Sequence, residues 1–236
     1  MQKMMSYMRS AMERYNMIED GDRIAVGLSG GKDSVVLLHC LARMRLFYPK
    51  KYSLTAITVD PCFSGKETDY TALEELCEKI DVPYVIKRTE IGQIIFDVRK
   101  EPNPCSLCAR MRRGALHDLV KEIGHNKLAL GHHMDDAVET FMMNLLNEAR
   151  VGCFSPVTYL SRKDIHMIRP MVFARESDCA RVARVESLPV IKSNCPADGT
   201  TERQNVKELL TFLEKDYKDV RYKILGAMQR GNINGF

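Results

Sequence analysis

No stretch of this 236-residue chain approaches the roughly 20 consecutive apolar residues that cross a bilayer. The opening "MQKMMSYMRSAMERYNMIEDGD" is interrupted by Lys3, Arg9, Glu13 and Arg14, so it lacks the apolar core of a secretory leader. Both absences argue against a membrane and make the cytoplasm the expected location. Charge of one sign is also scarce: a net +4 permits a polyanionic partner without requiring one. Internal repeats and low-complexity segments are missing. What remains is an ordinary globular composition, 45% hydrophobic and 28% charged, long enough to bury one substantial core.

Eight cysteines in a cytosolic chain do not imply a disulfide framework; metal binding or catalysis is the better expectation. Most need neither. Cys40 and Cys77 fall in apolar-rich helical patterns, and Cys62, Cys153 and Cys179 have no ligand-like spacing, so all five read as packing residues. Cys105, Cys108 and Cys195 are left.

The periodicity predicts a helix over 3–17 with Met4, Met5, Met8, Met12 and Tyr15 on one face, a Met-rich stripe that serves as core filler. Buried strands follow at "RIAVGLS", "SLTAITVD", "PYVIKRTEI" and "NKLALG", separated by helical patterns at 32–45, "ETDYTALEELCEKI" and 105–123. Another helix begins at "DDAVETFMMNLLNEA". Such alternation predicts an α/β, doubly wound, mainly parallel five-stranded sheet with the first strand central. Beyond residue 150 the expectation is a hairpin about "SRKD", or a loop leading to the fifth strand. A helix at 175–186, a short "LPVIK" strand and one long amphipathic helix over 201–225 complete it.

"GLSGGKDSVVLL", residues 27–38, resembles a phosphate loop but does not spell the common one, which places a hydroxyl directly after the lysine. Gly27 is one residue too close to Gly31, and Asp33 stands where the hydroxyl should be. In an open parallel sheet this strand–loop–helix junction faces the ligand side. Gly30 and Gly31 let the backbone approach an anion, the helix start offers unpaired N–H groups, and Lys32 adds a positive charge. A plain Ser/Gly cap would need no lysine and aspartate besides.

Two further stretches carry chemistry. "GHHMDD" sets Asp135 and Asp136 at a helix start, where they coordinate magnesium, position ATP, or merely cap the helix. Zinc on His132 and His133 is disfavoured, because sequence neighbours project in different directions. "NPCSLCARMRRGAL" places a C-x-x-C at another helix start, followed by Arg110, Arg112 and Arg113. A thioredoxin-like dithiol leaves those arginines unexplained, and a zinc site would need a second pair that the chain does not have. Cys195, in a turn beside a proline, is a third thiol, and three thiolates can hold an iron–sulfur cube with one iron open.

"SGGKDS" (29–34) resembles the signature of the PP-loop ATP pyrophosphatases. "PCSLCARMRRG", "GHHMDD" and the late Cys195 together resemble the tRNA 2-thiocytidine synthetase branch. The resemblance implies a PP-loop thiolation domain over 21–200, an N-terminal helix over 1–20 and a C-terminal helical extension over 201–236. ATP would rest on Ser29, Gly30, Gly31, Lys32, Asp33 and Ser34, with Val59, Asp60 and Gly131 around the adenosine. Asp33, Asp135 and Asp136 would act with Mg2+, Arg112 would contact the reacting groups, and Cys105, Cys108 and Cys195 would hold a [4Fe-4S] cluster. The implied reaction adenylates a pyrimidine carbonyl of tRNA and replaces its oxygen with sulfur. A cysteine desulfurase persulfide or free sulfide would be the donor. A homodimer is left open. Two rivals stay in view, an amine-using lysidine-type ligase and a nucleotide-binding iron–sulfur redox sensor.

Overall fold

The computed structural model describes residues 1–99, 104–192, 194–195 and 202–236. Its centre is one sheet in the order β3-β2-β1-β4-β6-β5. Four strands come from the first half: β1 (Asp22–Gly27), β2 (Tyr52–Asp60), β3 (Tyr84–Arg88) and β4 (Lys127–Ala129). β6 (Ile165–Ile168) continues the parallel set beside β4, and β5 (Val157–Leu160) pairs with it antiparallel at the edge.

The expected five strands are therefore six. The "SRKD" turn does make a hairpin, and its first arm is an added edge strand rather than a loop. Two other expectations are corrected. "LPVIK" joins no ladder; its Ile191 N–H donates instead to the Gly30 carbonyl at 2.9 Å. The long C-terminal helix is broken into α8 (Glu202–Asp216) and α9 (Val220–Arg230), with Asp219 at φ 59° between them.

The remaining helices are α1 (Gln2–Arg14), α2 (Lys32–Met44), α3 (Thr71–Lys79), the short turn α4 (Ile91–Gln93), α5 (Pro104–Glu122), α6 (Met134–Asn147) and α7 (Glu176–Val185). Dense apolar runs explain the interior strands: β2 is buried at every position but Ser53. Met4, Met8 and Met12 of α1 are buried and fill the same core as Leu37 and Leu41 of α2 and Leu210 and Met228 of the C-terminal helices. Burial of this kind, at about 25 cal/mol per Å2, ties both ends of the chain to the sheet. α5 lies over strands β1, β2 and β4, packing Leu119 and Val120 against Ala25, Ile57 and Leu128. Near the strand N-termini, Lys127 is buried against Asp22 at 2.7 Å, and its amine also donates to the Met17 carbonyl.

The topology places the site. From β1 the chain moves to β2 and β3 on one side, then returns to β4 on the other. That reversal opens a crevice between the carboxyl ends of β1 and β4, where doubly wound folds bind ligands. Among the described residues, no helix is long and apolar enough to cross a membrane.

Candidate nucleotide and sulfur site

The loop after β1 is folded on itself by its serines. Ser34 Oγ donates to the Gly31 carbonyl at 2.8 Å and accepts the Ser29 N–H at 3.1 Å. Gly30 has φ +84°, the left-handed region that glycine enters without strain. Gly31 caps α2 without a side-chain bond, so the first-turn N–H groups are open to an anion. Across the crevice Gly131 comes so close that a Cβ there would stand 3.0 Å from the Asp33 carbonyl carbon and the Ser34 nitrogen. Only glycine lets the β4 end approach the loop this tightly.

Between these edges and α5 lies a cavity of about 430 Å3. Ser29, Asp33, Ser34 and Asp136 line its polar end; Ile57, Val59, Leu116 and Leu130 form an apolar slot. That combination suits a flat base attached to an anionic tail. Arg112 and Arg113 reach it from α5.

Asp33 carries the clearest local signal. Its Oδ1 is buried without a hydrogen-bond partner among the described residues, with His133 Nε2 at 3.9 Å. A carboxylate oxygen left so is costly unless a cation meets it, which fits a magnesium ligand. Lys32 sits between Asp33 Oδ2 and Glu176 Oε1, each at 3.0 Å. Burial raises the Glu176 pKa, but hydrogen bonds from Lys207 and Lys32 outweigh it and hold the value at about 2.

The structure separates the two neighbouring aspartates. Asp136 is at the third helical position of α6, in a capping box with His133, and lines the cavity. Asp135 is turned away, accepting from Glu176 N–H at 2.7 Å and pairing with Arg175 at 3.2 Å and Arg221 at 3.4 Å. Asp60 is also occupied. Its fully buried carboxylate accepts from the Cys62 and Thr68 N–H groups and shapes the end of β2, while Val59 beside it faces the cavity.

His132 and Arg169 were not among the expected site residues. Arg169 Nε donates to His132 Nδ1 at 3.3 Å, and its guanidinium lies 4.8 Å from the Phe154 ring. An arginine has only donors, so His132 Nδ1 must accept and the ring proton sits on Nε2. Burial, then the Arg169 charge, lowers the His132 pKa to about 4, so the imidazole in the cavity wall is neutral. No short motif marks this contact, because β6 supplies the arginine and the end of β4 the histidine.

Cys105 is exposed and Cys108 buried in the first turns of α5, and Cys195 is half-buried. The Cys108 thiol is raised by burial, lowered by Arg112, and raised again by the nearby charges of Cys195 and Cys105. Thus Cys105, the late cysteine and a cavity arginine lie close enough to act on Cys108. Among the described residues no three His, Cys, Asp or Glu side chains converge on a single ion. Soft thiols are the donor type that iron–sulfur clusters take.

A mainly parallel sheet, a glycine loop opening onto α2 and an unpartnered acidic oxygen define an α/β protein with a cavity shaped for a nucleotide. The PP-loop domain family matches residues 4–211, and the chain belongs to that family. Its sequence is 40% identical, over 94% of this chain and 86% of the relative, to a tRNA-cytidine(32) 2-sulfurtransferase of Syntrophotalea carbinolica. A protein of the same name from Geobacter sulfurreducens is 38% identical over the same shares. The fold is similar to the U34-tRNA thiolase NcsA from Methanococcus maripaludis, solved with its [4Fe-4S] cluster. Here the TM-score is 0.79 at 27% identity, covering 95% of this chain and 77% of that one.

Proposed function

We propose that the protein is an ATP-dependent tRNA sulfurtransferase, acting on C2 of a cytidine in the anticodon loop. The observation that carries this is one cavity bounded by the loop of residues 29–34, the unpartnered Asp33 oxygen and Arg112, whose charge also acts on Cys108. The names of the relatives support the substrate class, and the thiolase neighbour supports the sulfur chemistry.

In this reading the α2 N-terminus and Lys32 take the β and γ phosphates, and Asp33 and Asp136 would hold Mg2+, which would offset phosphate charge. Val59 and Gly131 flank the adenosine. The pyrimidine carbonyl oxygen attacks the α-phosphorus, and pyrophosphate leaves. That oxygen, a poor leaving group before, becomes part of a phosphate ester. Sulfur then adds at C2 and AMP departs with the original oxygen. Arg112 and Arg113 line the cavity where negative charge accumulates in both steps. Cys105, Cys108 and Cys195 would hold a [4Fe-4S] cluster, which would supply a place to bind the incoming sulfur. Sulfide is the source, or a cysteine desulfurase persulfide whose outer sulfur is released as hydrosulfide by a second thiol, the two thiols ending as a disulfide. An unpaired anticodon-loop base is reachable because it can be splayed out of its stack.

The deciding experiment incubates anaerobically prepared protein with ATP, Mg2+, sulfide and tRNA, then analyses nucleotides and nucleosides by mass spectrometry. AMP and pyrophosphate should appear with one 2-thiocytidine per product tRNA. ADP as product, or AMP formation that an amine supports and sulfide does not, would overturn the proposal.

A further inference from the structure

Arg169, just past β6, is only 5% exposed, and none of its partners among the described residues is a carboxylate. Its Nη1 donates to the Ser155 carbonyl and to Thr158 Oγ1, its Nη2 reaches Met167 Sδ, and its Nε is spent on His132 Nδ1. A buried guanidinium without a counter-ion contributes little to stability for its cost. What this one does is orient an imidazole. With Nδ1 accepting, the His132 ring is neutral and its single proton is on Nε2. Among the described residues no acceptor pairs with that Nε2, and it is not sealed away as Asp33 Oδ1 is. His132 thus presents one fixed donor to the cavity whose wall it helps to form.

The donor belongs to the polar end of the cavity. The charges of Arg169, Asp136 and Arg203 act on the ring, and Phe154 packs against it with centroids 5.1 Å apart. Phosphates are served by other groups, the open α2 N-terminus, Lys32, Arg112 and Arg113, so a neutral donor adds little for them. Backed by an aromatic ring, it is matched instead to the edge of an uncharged heterocycle. Beside C2, cytosine carries two acceptors, O2 and N3; uracil carries O2 and a proton on N3. A locked donor fits the first base and meets N–H with N–H in the second. Adenylation ties O2 to phosphorus, which leaves N3 as the acceptor that persists through both steps.

We propose that His132 is a specificity-determining residue whose Nε2–H donates to N3 of the target cytosine, and that Arg169 is the positioning residue holding it in that tautomer. The site then accepts a ring nitrogen with a lone pair and rejects one with a proton, which selects cytidine over uridine. The same hydrogen bond draws electron density from C2 as sulfur adds there. This rests on the proposed function, in which the substrate is a cytidine.

The test uses the full chain after anaerobic reconstitution and two tRNAs that differ only at the thiolated nucleotide. One carries cytidine there, the other 3-deazacytidine, in which C–H replaces N3. The loss of kcat/KM caused by the deaza base is compared between the unaltered protein and His132→Asn. The asparagine Oδ1 takes the place of Nδ1 and still accepts from Arg169, so only the Nε2 donor is removed. The deaza base should cost the unaltered protein about tenfold more than it costs the variant, the worth of one buried donor left without its acceptor. The intrinsic reactivity of the deaza base is common to both proteins and cancels. Equal costs would mean that His132 serves the nucleotide or the fold, and that result overturns the inference. In Arg169→Met the ring is free to take either tautomer, so the cost should fall between those two; a cost as large as in the unaltered protein removes Arg169 from the proposal. Where that variant does not fold, nitrogen–proton NMR of the unaltered protein decides the part of Arg169, and a proton on Nδ1 overturns it. An unaltered protein that leaves the cytidine tRNA unthiolated would sink the proposed function itself.

Discussion

Asp135 and Asp136 are neighbours in sequence and serve different parts of the protein: Asp136 faces the cavity, and Asp135 is 4% exposed among Arg175, Arg221 and the α7 N-terminus. Arg221 is itself 4% exposed, and Asp135 is its nearest carboxylate on α6. Replacing either aspartate by asparagine therefore has opposite consequences. Asp136→Asn should cut pyrophosphate release roughly a hundredfold or more while the fold survives, because the proposed Mg2+ ligand is lost and little packing changes. Asp135→Asn should cost about 2–3 kcal/mol in urea unfolding by leaving a buried guanidinium short of charge. Equal loss of activity at equal stability would mean that both carboxylates work in the cavity.

The Arg169–His132 contact fixes a tautomer that can be read directly. Long-range nitrogen–proton NMR of 15N-histidine-labelled protein should show His132 protonated on Nε2 at neutral pH. Folding depresses its pKa to about 4, through burial first and Arg169 second, while the unfolded chain titrates at about 6.5. Between those values the unfolded state binds the proton and the folded state does not, so this contribution to stability declines as pH falls from about 6.5 to 4. The amide nitrogen of a glutamine occupies the Nε2 position and that of an asparagine the Nδ1 position. His132→Gln should accordingly keep more activity than His132→Asn, and a signal from protonated Nδ1 would refute the assignment.

Glu176 gives the contrasting acid dependence. Its folded pKa of about 2 lies below the ordinary glutamate value of about 4.3, because Lys207 and Lys32 overcome burial. The stability it contributes is complete above about 4.3 and disappears as pH falls toward 2. Urea midpoints measured across that interval should fall less steeply for Glu176→Gln than for the unaltered protein. Parallel curves would show that the lysines do not favour the ionised form.

How much of this was legible in the sequence depends on how local each feature is. "SGGKDS" is readable because the loop's glycines, its lysine and its strand–helix setting lie within one short stretch. The alternation that predicts a parallel sheet is readable for the same reason, since each strand and helix carries its own period. β5 was legible only as one of two readings, the first arm of a hairpin, because an edge strand with one exposed and three half-buried positions has a weak pattern. The sidedness of Asp135 and Asp136 depends on where α6 begins. Its N-cap is His133, outside the Ser, Thr, Asp and Asn set that announces a helix start. Arg169 with His132, Ile191 with Gly30 and Arg203 with Asp136 join residues 37, 161 and 67 positions apart, so no spacing rule reaches them. Cys195 could be singled out, but Pro196 and the residues through 201 that follow it lie outside the described residues.

The sulfur ligands give the last prediction. Cys105 and Cys108 open α5; burial raises the Cys108 thiol, and Arg112, a cavity residue, partly offsets that rise. Cys195 acts on Cys108 from a segment held against the phosphate loop through Ile191. Anaerobic reconstitution should therefore load about four irons and four sulfides per chain, with one iron lacking a protein thiolate. Alanine at Cys105, Cys108 or Cys195 should abolish loading and thiolation, and binding of α,β-methylene-ATP should change little because none of the three lines the cavity. Cys40, Cys77 and Cys179 are buried, with thiols raised by burial, Cys40 to about 12 and Cys77 to about 11; thiols that resist ionisation are poor ligands. Alanine at those positions should leave the iron content unchanged. A Cys195→Ala protein that keeps its full iron content and still thiolates tRNA would remove the third ligand, and with it the link between the late segment and the sulfur chemistry.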